Sequence, residues 1–395
     1  MLKKFAVLAV TLLVLGCQGK KEPTQEEQAQ KRWNDARASV LYSVAQDQYK
    51  NHDFDKCTQT VGQALKMTPN SAPLLTLAAK VDIEQGKLEE AERELESARK
   101  WAPQDPEAYY LSGVIYQRWQ KPETALDFYR QAAQRSPAEL PYVLAQAEML
   151  VTLGHSDQAL HLLQGKVAYF ENSATIRDAV GQLLMHAGRY GEAVDMLRQA
   201  SILSEEDQTI RERLALAYYY NKQYRESAQT LQKLLENDTY AKRGDLLEIL
   251  GECQMNLGQP REARITFQQA TDLNPYSAHL WQSYGRAALE SNDLRRANNA
   301  LTHALSLEPN NSGTHLLFGY VNLREKKLKE SVAAFQKASA LDPRDTVSVC
   351  MVGYVFEKMG RHETAIQYYA KALKIKPGDD MASQLMASID SHDEK

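Results

Sequence analysis

The sequence predicts an all-α fold, a right-handed superhelical α-solenoid of about ten stacked helix hairpins, and three observations predict it. Proline stands at 69, 103 and 137 and again at 275, 309, 343 and 377, in steps of 34 residues within each group. A period of that size marks stacked two-helix units rather than one globular core. Counting each unit so that its proline is position 32, position 8 is Gly or Ala in all ten, from Ala45 and Ala79 to Gly319 and Gly353. Position 20 is always small (Cys57, Ala91, Ala125 through Ser331 and Ala365). Position 24 is always large and apolar (Val61, Leu95, Tyr129 through Phe335 and Tyr369). Small residues let two antiparallel helices approach closely, and a bulky one fills the space between them.

The elements follow in order from those positions. Residues 1–17 read as a bacterial export signal. Lys3 and Lys4 precede the apolar run Phe5 to Leu15, which ends in Val14-Leu15-Gly16-Cys17. The run is too short to span a bilayer and of normal length for a signal core. Residues 18–37 give a polar spacer followed by a helical extension. Thr24 and Glu27 fit a capping box, and Ala29, Trp33, Ala36, Val40 and Val44 continue at helical spacing, so one helix is expected from about 25 to 49. Residues 38–379 hold the ten repeats. Within each, a turn falls near positions 15–17, with glycine at 86, 154, 188, 258 and 360 as helix stops. The proline at 32 ends the second helix, since it lacks an amide donor and restricts the residue before it. Residues 380–395 carry one apolar stripe, Ala382, Leu385, Met386 and Ile389, and are expected to form a capping helix and tail.

Repeats four to six depart from the pattern. They have Glu171, Glu205 and Thr239 in place of proline, and two extra residues enter near Tyr240–Arg243. Repeats four and six also lack the alanine of position 27, with Lys166 and Leu234. Drift in loops explains this at one level; a hinge or a change of pitch explains it at another.

The pattern of a small residue at 8, alanine at 20 and 27, an aromatic or leucine at 24 and proline at 32 resembles the tetratricopeptide repeat. The best match is Trp281 followed by Gln282-Ser283-Tyr284-Gly285, then Ala297, Ala304 and Pro309. The resemblance covers about residues 38–379. It implies a protein-binding groove lined by positions 2, 5, 9 and 12 of each first helix. By register those positions offer Tyr42, Tyr110, Glu212, Tyr219, Glu248, Glu252, Tyr320 and Tyr354 as candidate ligand contacts, an aromatic and acidic surface most acidic at Glu212, Glu248 and Glu252. Tyrosine gives contact area at low entropy cost, and fixed carboxylates select cationic or amide-rich segments. A chaperone-tail clamp would need lysine at 5 with asparagine at 9, and a sugar-transferase-like ladder would need asparagine at 6; no repeat has either.

The Val14–Cys17 segment resembles a lipobox, which implies acylation of Cys17. Gln18 after it points by the family rule to the outer membrane, facing the periplasm. Acyl chains there would tether an otherwise water-soluble body.

Composition excludes other classes. The net charge is −4 for the whole chain, and about −6 without Lys3 and Lys4, mild enough to imply only solubility. No basic block suggests nucleic acid. Cys57, Cys253 and Cys350 lie in different repeats, so no disulfide framework is expected. Phosphate loops, HExxH, GxSxG and paired CxxC motifs are absent from the sequence, and His155 and His161, six apart, fall on different helix sides. No catalytic residues, metal or cofactor are therefore assigned. The sequence supports an envelope scaffold that binds partner proteins, as assembly factors for pili, secretion or export machinery do in this family. A carbohydrate-handling module in polysaccharide synthesis or export is the alternative, and an enzyme with a cryptic site a distant third.

Overall fold

A computed structural model describes residues 24–393, with side-chain surroundings described through Ile389. Cys17 and the export signal lie outside the described residues. Among the described residues there are 21 α-helices and no strand. The chain forms two compact units, divided between Leu162 and Leu163.

The first unit contains α1 (Gln25–Lys50) with α2 (Phe54–Met67), α3 (Ala72–Glu84) with α4 (Leu88–Trp101), α5 (Pro106–Arg118) with α6 (Pro122–Arg135), and α7 (Leu140–Thr152); α8 (Ser156–Val167) carries the division. The second unit contains α9 (Ala174–His186) with α10 (Tyr190–Leu203), α11 (Gln208–Tyr220) with α12 (Tyr224–Leu235), α13 (Gly244–Asn256) with α14 (Pro260–Leu273), and α15 (Ala278–Glu290) with α16 (Leu294–Leu307). It ends with α17 (Ser312–Arg324) and α18 (Leu328–Leu341), α19 (Thr346–Lys358) and α20 (His362–Ile375), and α21 (Asp380–Asp393).

The hairpin interior explains the small residues. A Cβ added at Gly353 would lie 2.6 Å from Tyr369 Cε1, and one at Gly251 would lie 2.7 Å from Phe267 Cζ, so position 8 is the floor on which the position-24 side chain rests. Cys57, Ser227 and Ser331, the polarisable residues at position 20, each donate to the carbonyl of position 8 in their own hairpin, at 3.2, 2.9 and 2.9 Å. Cys57, Cys253 and Cys350 are buried free thiols. Burial pushes the Cys350 thiol up to about 11, which keeps it protonated and inert.

The turn between helices is more uniform than its glycines suggest. Position 15 has positive φ in every repeat, at Gly86 and Gly258 and equally at His52, Gln120, Lys222, Asn292 and Lys326. The backbone turn therefore holds even where a side chain makes it costly.

Of the three repeats lacking the terminal proline, repeat five keeps a second helix of full length, ending at Leu203. Repeats four and six end theirs two positions earlier, at Val167 and Leu235. These are the two repeats without alanine at position 27, so loss of that close packing, rather than loss of proline, accompanies the longer turn. The division between units falls inside the second helix of repeat four and not at the extra residues near Arg243.

α1 begins with the expected capping box: Thr24 Oγ1 accepts from the Glu27 amide at 3.2 Å and Glu27 Oε2 accepts from the Thr24 amide at 2.7 Å. Its buried side is Ala38 and Ala45, with Leu41, Tyr42 and Tyr49 half-buried beside them. The stripe Ala29, Trp33, Ala36, Val40 and Val44 faces solvent. At the other end α21 keeps the 34-residue register. Ala382 and Ile389, at positions 3 and 10, are buried against residues of α19 and α20.

Candidate functional site

First helices of successive repeats lie side by side, and polar side chains at positions 2, 5, 6 and 9 reach from one to the next. In the second unit these contacts form a ladder. Asp178 on α9 accepts from Arg213 on α11 at 2.7 Å and from Gln182 at 2.9 Å. Burial pushes its carboxyl up, against the pull of the Arg213 guanidinium. Glu212 on α11 accepts from both Nη atoms of Arg243, at 2.8 and 3.4 Å, and Arg243 also grips Asp245 at 2.7 and 2.9 Å. Arg243 belongs to the segment that carries the two extra residues, so the insertion supplies the cation that Glu212 faces. Glu248 on α13 meets His279 Nδ1 of α15 at 2.8 Å. Glu252 accepts through both oxygens from Arg286 Nη2 at 2.7 Å, with Ser283 Oγ at 3.4 Å.

Glu212, Glu248 and Glu252 lie on the first-helix face where the register placed them, and each is half-buried and opposed by a cation or imidazole, from α15 for Glu248 and Glu252 and from the segment before α13 for Glu212. The physical reason is spacing, since side chains 31 to 34 residues apart become lateral neighbours when repeats stack. Partly exposed pairs of this kind contribute about 0–1 kcal/mol each, so the ladder fixes geometry more than it stabilises.

Beyond the ladder the same face becomes aromatic. Tyr320 on α17 packs edge-on against Phe335 with ring centres 5.2 Å apart, and burial pushes its hydroxyl above the usual phenol range. Tyr354 on α19 lies under Lys358 Nζ, 5.0 Å from the ring centre. Tyr219 on α11 contacts the rings of Tyr220 and Tyr224 at 5.3 and 6.1 Å, and burial raises its hydroxyl too.

In the first unit, Tyr110 on α5 sits between Tyr129 and Tyr142, with ring centres at 5.5 and 5.0 Å. Tyr42 on α1 accepts from Gln46 Nε2 at 3.0 Å. Lys80 pairs with Glu107 at 2.5 Å, and Gln117 donates to Glu148 at 3.0 Å. A cleft of about 870 Å³ opens beside α1, lined by Tyr42, Met67, Pro69, Pro73, Leu74 and Trp101 among others. Tyr42 and Tyr110 thus belong to one unit and the other six candidates to the second.

Arg213, Arg243 and His279 are components of this face that the sequence reading missed. The signal was available for two of them: Glu248 and His279 stand 31 residues apart, Asp178 and Arg213 stand 35 apart, both close to one period.

The chain is similar to several known proteins. Two tetratricopeptide-repeat models match residues 48–115 and 106–139. The model of the cilia and flagella-associated protein 70 C-terminal domain matches residues 211–394. Among curated proteins, the BBSome complex member BBS4 of Bos taurus is 23% identical over 221 residues, 56% of this chain; the chain spans 42% of that relative's length. Among solved structures, the APC/C hetero-tetramer Cut9–Hcn1 covers 90% of this chain and 84% of its own at 15% identity, with a TM-score of 0.43. MamA 41-end from Desulfovibrio magneticus RS-1 covers 44% of this chain and 98% of its own at 18% identity, with a TM-score of 0.41. Residues 48–139 thus match tetratricopeptide-repeat models, and the described residues as a whole form helix hairpins of that kind.

Proposed function

We propose that this scaffold is tethered to the bacterial envelope through a lipidated Cys17 and holds partner proteins of an envelope assembly, of the pilus, secretion or export kind, on its first-helix face. The observation that carries the binding half is the pre-set first-helix face of the second unit, where Tyr219, Tyr320 and Tyr354 are held by ring contacts and Glu248 and Glu252 by lateral pairs. Side chains already fixed lose little entropy when a partner docks. Because the carboxylates are paired, the face offers aromatic area and oriented donors and acceptors rather than net negative charge. That suits a helix or an extended segment rich in amides. The tether rests on the lipobox-like Val14-Leu15-Gly16-Cys17; among the described residues no helix is long and apolar enough to cross a membrane.

The test places a photo-crosslinking residue at Tyr219 or Tyr354 in living cells, with the exposed Lys371 on α20 as control, in wild-type and Cys17→Ser backgrounds. The expected result is one discrete protein captured from the two tyrosine positions and not from Lys371, with the chain leaving the membrane fraction in Cys17→Ser. Equal capture from Lys371 removes the groove reading, and a membrane-bound Cys17→Ser chain removes the tether.

A further inference from the structure

Positions 3, 7 and 10 of each first helix form the face that the preceding repeat's second helix covers. Leu280, at position 3, packs on Ala270 of α14, and Leu246 and Leu250, at positions 3 and 7, pack on Leu231 and Leu234 of α12. In α1 the same register positions are Val40, Val44 and Asp47. Val40 is 64% exposed and Val44 43%, and Trp33, two turns before Val40 on the same stripe, is 52% exposed. Leu246 and Leu280, by contrast, are 1% and 2% exposed. Among the described residues, α1 therefore presents a stacking face with no helix stacked on it.

We propose that a second copy of this chain covers it, through antiparallel pairing of the two α1 helices. The face is self-complementary in one register. With Ala36 opposite Val40 of the second copy, each helix sets a small residue against a larger one at the centre. Trp33 then falls on Ser43 and Val44 of the other copy, while Glu26 meets Lys50 and Arg32 lies within a turn of Asp47. Two-fold symmetry repeats every one of these contacts. Glu26 is in the first turn of α1 and Lys50 in the last, so antiparallel pairing joins opposite charges where a parallel pair would join like ones. The 26-residue helix is about 39 Å long, enough for between three and four heptads of side-by-side contact. Among the described residues the extension before residue 38 enters neither core cluster near it and is almost wholly exposed, which leaves its length free for this contact. None of the candidate groove residues takes part in this contact.

The experiment is sedimentation equilibrium of the full chain and its variants, with far-ultraviolet circular dichroism as a check on folding. Wild type is expected to dimerise, and Val40→Glu to weaken the dimer by about 100-fold without loss of helicity. Glu26→Lys and Lys50→Glu alone each weaken it by about tenfold, because both symmetric contacts become repulsive, and an equimolar mixture of the two recovers wild-type association as a heterodimer. A chain that stays monomeric, a dimer indifferent to Val40→Glu, or single charge reversals whose mixture fails to recover overturns the proposal. So does a Val40→Glu chain whose only defect is in binding lipid vesicles or a different protein.

Discussion

The first and last helices of the repeat array occupy the same register and meet opposite surroundings. α21 is in effect the first helix of an eleventh repeat, with Ala382 and Ile389 at positions 3 and 10, 0% and 1% exposed. α1 is the first helix of repeat one, with Val40 and Val44 on its stacking face, both exposed. The period thus assigns each first helix a side that needs the previous hairpin, and only an element standing there makes it core. Apolar character alone does not decide burial: Trp33 and Val40 are more apolar than Ala382, and they are the ones in water.

The largest expected effect comes from breaking the closed end. Ile389→Asp places an unpaired carboxylate in the cluster with Val352, Val355 and Tyr369. A cost on the order of 3 kcal/mol is expected, read as faster amide exchange throughout α19, α20 and α21. Unchanged exchange in α19 would mean that α21 is not part of the stack.

A smaller effect tests how the closed end is held. Asp379, before α21, accepts from the Ala382 amide at 3.0 Å and the Thr346 hydroxyl at 2.8 Å. The amide first, then the hydroxyl, hold its carboxyl below the usual aspartate range. A depressed carboxyl contributes stability in full above its unfolded value, about 3.9, and loses it as pH falls through the lower folded value. Exchange in α21 should therefore accelerate below about pH 4 in the wild type. In Asp379→Ala, which loses the cap at a cost of about 1 kcal/mol, it should be fast already at neutral pH and flatter with acid. An acid limb that survives Asp379→Ala would assign it to another group.

The period, the hairpins, the helix at 25–50 and the helix after 380 were legible because each rests on residues close in sequence: the Thr24–Glu27 box, the Gly–Tyr pairs sixteen apart within a repeat, the terminal prolines. What was not legible is lateral. The acids at 212, 248 and 252 read as a charged groove because their partners, Arg243, His279 and Arg286, lie a whole repeat away. The stripe on α1 read as apolar at helical spacing, and only the burial of the same positions in later repeats shows that the neighbour it calls for is missing among the described residues. The positive φ at His52, Gln120, Lys222, Asn292 and Lys326 was hidden for a different reason: stacking imposes the turn on residues whose own preferences do not announce it.

The most direct test of the register account is a matched pair of identical substitutions at position 7, Val44→Ala on α1 and Val352→Ala on α19, each compared with wild type at a dilution where the chain is monomeric. Val44 is 43% exposed and Val352 0%. Read from the slowest-exchanging amides of each hairpin, Val352→Ala should cost about 2 kcal/mol and Val44→Ala less than about 0.5 kcal/mol. Equal costs at the two positions would contradict the claim that the repeat period, through the presence or absence of a preceding hairpin, decides which apolar residues are core.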